Sequence, residues 1–104
     1  MKRALIICAA GMSSSMMAKK TTEFLVNKGL DIEIDATTAT EGTKKIREDV
    51  FDLYLVSPQT KMYFDNLAKA AAEYNKPIVS IPPQAYIPIP MGIEKMAQLV
   101  EDNI

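Results

Sequence analysis

Along the chain, short segments with the hydrophobic pattern of strands alternate with segments whose apolar residues have helical spacing. An apolar run at residues 3–8 predicts a strand that is buried on both faces, and runs at 53–56 and 78–81 predict two further strands. Residues 30–36 instead alternate apolar and acidic side chains, the pattern of a strand with one face in water. A half-exposed strand of this kind is expected at an edge of the sheet.

Helical spacing fills the segments between these strands. Apolar residues three and four positions apart predict helices over 13–28, over 61–74 and from about residue 92 onward. A shorter, more polar helix is expected over 40–49. Gly29 is placed to end the first helix. The stretch "PPQAYIPIP" at 82–90 is too rich in proline to form a helix or a central strand.

The resulting order, βαβαβαβα, predicts one α/β domain over residues 1–104, a parallel sheet with helices on both faces. The acidic second strand favours the strand order 2-1-3-4. In such sheets a ligand binds beyond the carboxyl ends of the strands, where the winding reverses. This point falls between strands one and three. Cys8 and the turn Ser57-Pro58-Gln59 flank it, and the loop around Tyr86 is expected to overhang it.

Composition narrows the function classes. A formal net charge of −1 provides no basic surface for nucleic acid or anionic lipid. No window of the sequence approaches the length and hydrophobicity of a membrane span, so no direct membrane insertion is expected. A single cysteine cannot form an internal disulfide, which suits a reducing compartment. The cytoplasm is the expected location.

The chain contains no histidine. This excludes His-based acid–base catalysis, Cys–His and Ser–His dyads and most zinc sites. A single cysteine also excludes a thiolate metal cage. Covalent chemistry must therefore use Cys8, a carboxylate, a lysine or a hydroxyl, and no metal or cofactor is expected.

The cysteine lies in "ICAAGMSSSMM" at residues 7–17, where an apolar strand meets a serine-rich helix start. Backbone N–H groups and a helix N-terminus in such a loop favour an anion, and they also favour the thiolate of Cys8. The serines can cap the helix or donate hydrogen bonds to phosphate oxygens. The fragment's chemistry alone fits a buried structural cysteine equally well. The position at the predicted reversal point favours a functional one.

Three segments carry a family resemblance. "IICAAGMSSSMMAKK" resembles the active-site loop of the lactose/cellobiose family of enzyme IIB components of the bacterial sugar phosphotransferase system. "YLVSPQTKMYFDNL" resembles the family's segment after the third strand, which usually reads Gly-Pro-Gln where this chain has Ser57. "KPIVSIPPQAY" resembles the fourth strand and the loop after it, with a tyrosine matching Tyr86. The resemblance extends over essentially the whole chain.

The resemblance implies a phosphotransferase IIB domain. Cys8 would accept a phosphoryl group from the phosphohistidine of an enzyme IIA. It would then pass the group to a sugar held by the enzyme IIC permease, a β-disaccharide such as cellobiose, chitobiose or lactose. The implied phosphate-binding loop consists of Ala9, Ala10, Gly11, Met12, Ser13, Ser14 and Ser15. Pro58, Gln59 and Tyr86 are further candidates for contacts with the site or a partner.

Two other classes of protein share this layout. A low-molecular-weight cysteine phosphatase or an arsenate reductase would also follow its first strand with a cysteine loop, but the phosphatase motif Cys-x5-Arg needs an arginine where this chain has Ser14. No Asp-Pro turn supplies a general acid. A receiver domain would need an acceptor aspartate where Ser57 stands. A flavin-binding protein would normally show more loop aromatics than Tyr86.

Overall fold

The computed structural model describes residues 2–8, 11–87 and 89–104, with the side chains of residues 11–14 and 59 outside that description. The strands are β1 (Lys2–Cys8), β2 (Ile32–Thr38), β3 (Leu53–Val56) and β4 (Ile78–Ser80). The α-helices are α1 (Gly11–Asn27), α2 (Ala39–Glu48), α3 (Phe64–Glu73) and α4 (Pro90–Asn103). Two 3-10 helices, Pro58–Tyr63 and Pro83–Ala85, follow β3 and β4.

The four strands form one parallel sheet in the order β2-β1-β3-β4, which confirms the predicted order. The acidic strand β2 is at an edge, as its alternation indicated. Arg3 on β1 forms ion pairs with Glu33 at 3.5 Å and Asp35 at 3.1 Å across this edge. The Thr22 hydroxyl oxygen of α1 accepts a hydrogen bond from the Ile34 N–H at 2.9 Å. The open side of β2 is therefore partly covered by α1.

Successive residues of the strands point to opposite faces of the sheet and so build two separate cores. Ala4, Ile6 and Cys8 belong to the core that α1 and α4 cover. Leu5 and Ile7 belong to the core that α2 and α3 cover. The functional consequence is that Cys8 shares its face of the sheet with α1, α4 and the segment after β4.

The first helix ends as predicted, but the strand after it begins two residues later than expected. Gly29 adopts a φ of 88°, its N–H bonds to the Val26 carbonyl, and the Leu30 N–H bonds to the Leu25 carbonyl. This is a Schellman C-cap, which uses Leu30 to close the helix instead of starting a strand. At its other end β2 extends to Thr38, because Thr38 is still in register with Cys8 of β1.

Prolines explain three further differences in helix boundaries. The third helical segment was predicted from residue 61, but helical backbone begins at Pro58 as a 3-10 turn before α3. The stretch 82–90 was predicted to exclude a helix, which is wrong for the short 3-10 helix Pro83–Ala85. The last helix starts at Pro90 instead of about Gly92. In each case a proline stands in the first turn, where its missing N–H has no intrahelical partner to lose.

None of the helices in residues 2–8, 11–87 and 89–104 has the length and apolar character that crossing a membrane would require.

Candidate functional site

Cys8 is the last residue of the central strand β1. It is in register with Thr38 of β2, while Ile7 before it is in register with Val56 of β3. β1 thus ends at Cys8 between β2 and β3. The chain reaches these two neighbours by connections that lead to opposite sides of β1. This is the position at which doubly wound sheets bind ligands. The Cys8 side chain is 3% exposed and packs in the core under α1 and α4.

Tyr86 contacts Cys8 directly. Its hydroxyl donates a hydrogen bond to the Cys8 Sγ across 3.1 Å, and the tyrosine is 9% exposed. The structure thus brings together two of the candidate residues that are 78 positions apart in sequence. A hydroxyl donated to sulfur stabilises a thiolate more than a thiol, because the bond strengthens with negative charge on the acceptor.

The segment before Tyr86 fixes its position. The Ala85 N–H bonds to the Pro82 carbonyl at 2.9 Å, and the Tyr86 N–H bonds to the Pro83 carbonyl at 3.1 Å. Two consecutive prolines restrict φ at the start of this turn. Ala85 is buried in the same core as Cys8 and Tyr86. The proline-rich stretch therefore forms an ordered turn that places Tyr86 over the end of β1.

The predicted phosphate-binding loop is described only in part. Ala9 and Ala10 lie outside the described residues, as do the side chains of Met12, Ser13 and Ser14. The backbone of α1 begins at Gly11, so Ser13, Ser14 and Ser15 lie within the first turns of the helix, and the roles predicted for their hydroxyls stay predictions. Ser15 is exposed on α1. The start of α1 follows Cys8 closely, because the connection from β1 is only residues 9–10.

The turn after β3 supports the end of β1 from the other side. The Ser57 N–H donates to the Ile7 carbonyl at 3.0 Å, and Ser57 and Thr60 are fully buried with their hydroxyl oxygens 2.6 Å apart. Pro58 is partly buried, and the side chain of Gln59 lies outside the described residues. Sequence reasoning missed the Ser57–Thr60 pair. The available signal was the Ser-x-x-Thr spacing around the proline that starts a helical turn.

A groove of about 530 Å³ opens beside this turn. Its lining residues come from the segments after β3 and β4: Pro58, Lys61, Ser80, Ile81, Pro82 and Pro83. Ile81 also belongs to the core that contains Cys8. The Lys61 side chain is exposed and gives the groove a positive charge. No group of three or more Asp, Glu, His or Cys side chains within the described residues is arranged to hold a metal ion.

Exposed apolar side chains gather on elements that follow the carboxyl ends of the strands. Those described on α1, on the first 3-10 helix, between Tyr86 and α4, and in the first turn of α4 are Met16, Met62, Tyr63, Ile87, Ile89 and Met91. We call this set the apolar rim. Two other exposed apolar residues, Val26 and Val50, lie near the amino ends of the strands, since one is in the last turn of α1 and the other precedes β3. Apolar surface is therefore concentrated on the same side of the molecule as Cys8.

Comparisons with a family model and with a characterised relative point to the same protein family. A family model for the lactose/cellobiose-specific IIB subunit of the PTS system matches residues 3–101. The oligo-beta-mannoside-specific EIIB component of Bacillus subtilis (strain 168) is 34% identical over 88 residues, which cover 83% of this chain and 82% of that relative.

Two solved structures have the same fold. The lactose-specific IIB component domain of the phosphoenolpyruvate:carbohydrate phosphotransferase system from Streptococcus pneumoniae aligns with a TM-score of 0.83 at 20% identity, covering 98% of this chain and 96% of that one. The cellobiose-specific phosphotransferase IIB component from Borrelia burgdorferi aligns with a TM-score of 0.73 at 27% identity, covering 98% and 90%.

Proposed function

The chain belongs to the lactose/cellobiose-specific IIB family of the sugar phosphotransferase system, and from this premise we propose that Cys8 carries the phosphoryl group. In this proposal Cys8 takes the group from the phosphohistidine of an enzyme IIA. It then gives the group to a sugar bound by an enzyme IIC permease at the cytoplasmic side of the membrane. Residues 1–104 act as one IIB domain.

The observation that carries the proposal is the position of Cys8. It ends β1 at the reversal point of the sheet, with only two residues between it and α1 and with the Tyr86 hydroxyl on its sulfur. The first N–H groups of an α-helix have no intrahelical partner and favour an anion. We assign the phosphoryl oxygens to the backbone N–H groups from Ala9 to Ser13, since those of Ser14 and Ser15 are used within the helix. Pro58 and Gln59 then flank the same site from β3.

The two transfers balance without an acid or base from this chain. In the first, a lone pair of the Cys8 thiolate attacks phosphorus, the N–P bond breaks, and its electron pair stays on the imidazole of the donor. In the second, the sugar oxygen attacks phosphorus, the S–P bond breaks, and its pair returns to Sγ. The proton of the sugar hydroxyl goes to a group of the permease, since this chain has no histidine. Positioning and fixed dipoles supply most of what such transfers need.

The apolar rim is the proposed docking surface for both partners. Exposed apolar patches near a reactive group commonly mark protein interfaces, and methionines adapt to more than one partner. Lys61 beside the rim, together with Lys19 and Lys20 on α1, adds positive charge that complements a phosphorylated partner. Because the Cys8 side chain is only 3% exposed, docking has to move part of its cover before the sulfur can react.

The sugar follows from the relatives as a proposal. They are described as specific for oligo-beta-mannosides and for cellobiose. We propose a β-linked disaccharide or short oligosaccharide, with the choice among these made by the permease.

The test is phosphorylation in a reconstituted system. The purified chain is incubated with phosphoenolpyruvate, the general phosphotransferase proteins and a matching IIA, and then analysed by mass spectrometry. We expect one acid-sensitive phosphoryl group that maps to Cys8 and is missing from Cys8→Ser. Labelling of a serine or an aspartate in the wild type would overturn the proposal.

A further inference from the structure

We propose that Tyr86 is a catalytic residue of the Cys8 site, whose hydroxyl stabilises the thiolate as it forms and as it leaves phosphorus. The inference about the leaving group rests on the proposed function. The effect on the resting thiol does not. Both depend on the hydrogen bond of 3.1 Å from the Tyr86 hydroxyl to the Cys8 Sγ.

The surroundings of Cys8 explain why such a donor is needed. The sulfur lies in a core whose described members include Ala4, Ile6, Met17 and Ile81. Removal from water disfavours the charged form of a thiol and so opposes ionisation. A hydroxyl donated to sulfur acts in the opposite direction. Tyr86 therefore offsets part of the cost of forming a thiolate in an apolar place.

Most charged side chains on the described elements that neighbour Cys8 are exposed. The exposed ones are Lys19, Lys20 and Glu23 on α1, Lys61 on the first 3-10 helix, and Glu94, Lys95 and Asp102 on α4. Glu101 in the last turn of α4 is partly buried and forms an ion pair with Lys28 at 2.9 Å. Exposed charges are screened by water and salt over short distances. The buried Tyr86 hydroxyl, by contrast, is in contact with Sγ and acts on the thiol at short range.

The hydrogen bond changes in strength during transfer, and this gives Tyr86 its role. It is strong while Sγ is a thiolate and weaker once the S–P bond has taken the sulfur lone pair. When the sugar oxygen attacks phosphorus, the S–P electron pair returns to Sγ and the bond strengthens again. Tyr86 keeps its proton throughout. Its hydroxyl thus favours departure of the thiolate in the second transfer.

The first experiment follows alkylation of Cys8 by iodoacetamide against pH in the wild type, Tyr86→Phe and Tyr54→Phe. Tyr54→Phe is a matched control, because it also removes a buried tyrosine hydroxyl, but one without a described partner in the other core. We expect the midpoint of the alkylation curve to rise by about one pH unit in Tyr86→Phe. It should stay unchanged in Tyr54→Phe. An unchanged midpoint in Tyr86→Phe overturns the proposal.

A second measurement needs no variant of Tyr86 and so is independent of whether Tyr86→Phe folds. The ¹³Cζ resonance of Tyr86 is followed by NMR through the same pH range in the wild type and in Cys8→Ser. A hydroxyl that donates to a titrating sulfur should shift its resonance at the Cys8 midpoint, and the step should vanish in Cys8→Ser. A wild-type resonance without this step overturns the proposal.

The third measurement addresses the leaving group. Carrier loaded with phosphoryl is mixed with permease vesicles and sugar, and we expect discharge from Tyr86→Phe to be about tenfold slower than from the wild type or Tyr54→Phe. Equal discharge rates would overturn the leaving-group role. If the wild type accepts no phosphoryl group at all, the proposed function fails, while the alkylation and NMR results still decide the role of Tyr86 toward the thiol.

Discussion

Gly92 approaches Ile87 so closely that a Cβ at position 92 would lie 2.2 Å from the Ile87 carbonyl oxygen. The same oxygen accepts a hydrogen bond from the Ile89 N–H at 2.8 Å. It is therefore held inside a tight turn at the start of α4. Tyr86 directly precedes this turn. The contact between Gly92 and Ile87 thus helps to fix the hydroxyl that reaches Cys8.

Replacing Gly92 by alanine should disturb both stability and the site. The added methyl forces the Ile87 carbonyl away, and overpacking of this kind costs about 1–3 kcal/mol of unfolding free energy. Because the shift reaches Tyr86, the alkylation midpoint of Cys8 should rise as well. Urea unfolding and the alkylation curve measure the two effects.

The control is Gly29→Ala. A φ of 88° strains the new residue, but no atom lies within 4 Å of its Cβ, so stability should fall and the alkylation midpoint should not change. Gly92→Ala with wild-type stability contradicts the packing argument.

The buried pair Ser57–Thr60 should behave as one unit. Ser57→Ala leaves the Thr60 hydroxyl buried without its partner at 2.6 Å, which should cost about 1–3 kcal/mol in urea unfolding. Thr60→Val should cost a similar amount. The double variant should lose less than the sum of the two, because neither hydroxyl is then left unpaired. Additive losses would show that the two hydroxyls do not depend on each other.

Ionisation of the buried Tyr54 should destabilise the protein at alkaline pH. Burial raises the pKa of Tyr54 from 10.0 to about 12, and the carboxylates of Asp49, Asp52 and Glu48 add to the effect. Because the pKa is raised in the folded state, the stability that the protonated Tyr54 contributes is fully present below the unfolded pKa of 10.0. This stability is lost as the pH rises toward about 12. Tyr54→Phe should remove this part of the alkaline decline, as measured by urea unfolding at pH values on both sides of 10.0.

The same substitution has a second expected result near neutral pH. The Tyr54 hydroxyl is buried without a described hydrogen-bond partner, so deleting it removes a desolvated polar group and no bond. Tyr54→Phe should therefore be as stable as the wild type or slightly more stable. A clear loss of stability in Tyr54→Phe would mean that this hydroxyl has a partner in solution.

The sheet was predictable because each strand has a recognisable pattern in its own short stretch of sequence. Acidic residues alternating with apolar ones in 30–36 identify β2 as an edge strand, and the apolar runs at 3–8 and 53–56 identify β1 and β3 as interior strands. Once the order 2-1-3-4 follows, Cys8 must lie at the reversal point. These inferences need only the period of the pattern and the handedness of crossovers.

The contact between Tyr86 and Cys8 was only partly predictable. The sequence placed a loop near Cys8, but whether the ring points inward depends on the 3-10 turn at Pro83–Ala85 and on the close packing at Gly92. Proline composition indicates that a turn exists without giving its direction. The shift of β2 had a similar cause, since Leu30 fits a strand and a helix cap equally well until the backbone of Gly29 is known.

Charge placed on the apolar rim should weaken partner docking. Met62→Asp and Ile89→Asp each put a buried carboxylate into the proposed interface, and we expect phosphoryl transfer from IIA at limiting concentration to slow by about tenfold. Val26→Asp is the control, because this exposed valine is near the amino ends of the strands. Stopped transfer assays read by mass spectrometry give the rates. Equal slowing by all three variants would point to a general loss of folding instead of a docking surface.

The last prediction separates a carrier from a phosphatase. A cysteine phosphatase grips the phosphoryl oxygens with an arginine and protonates the leaving group with an acid. This chain has Ser14 at the arginine position and no Asp-Pro turn to supply the acid, while the Tyr86 hydroxyl contacts the sulfur. Phosphorylated Cys8 should therefore discharge slowly to water and quickly to permease with sugar. The purified chain should release no measurable p-nitrophenol from p-nitrophenyl phosphate. Multiple turnovers per Cys8 without a permease, lost in Cys8→Ser, would identify a hydrolase, because only water is then available to take the phosphoryl group from sulfur.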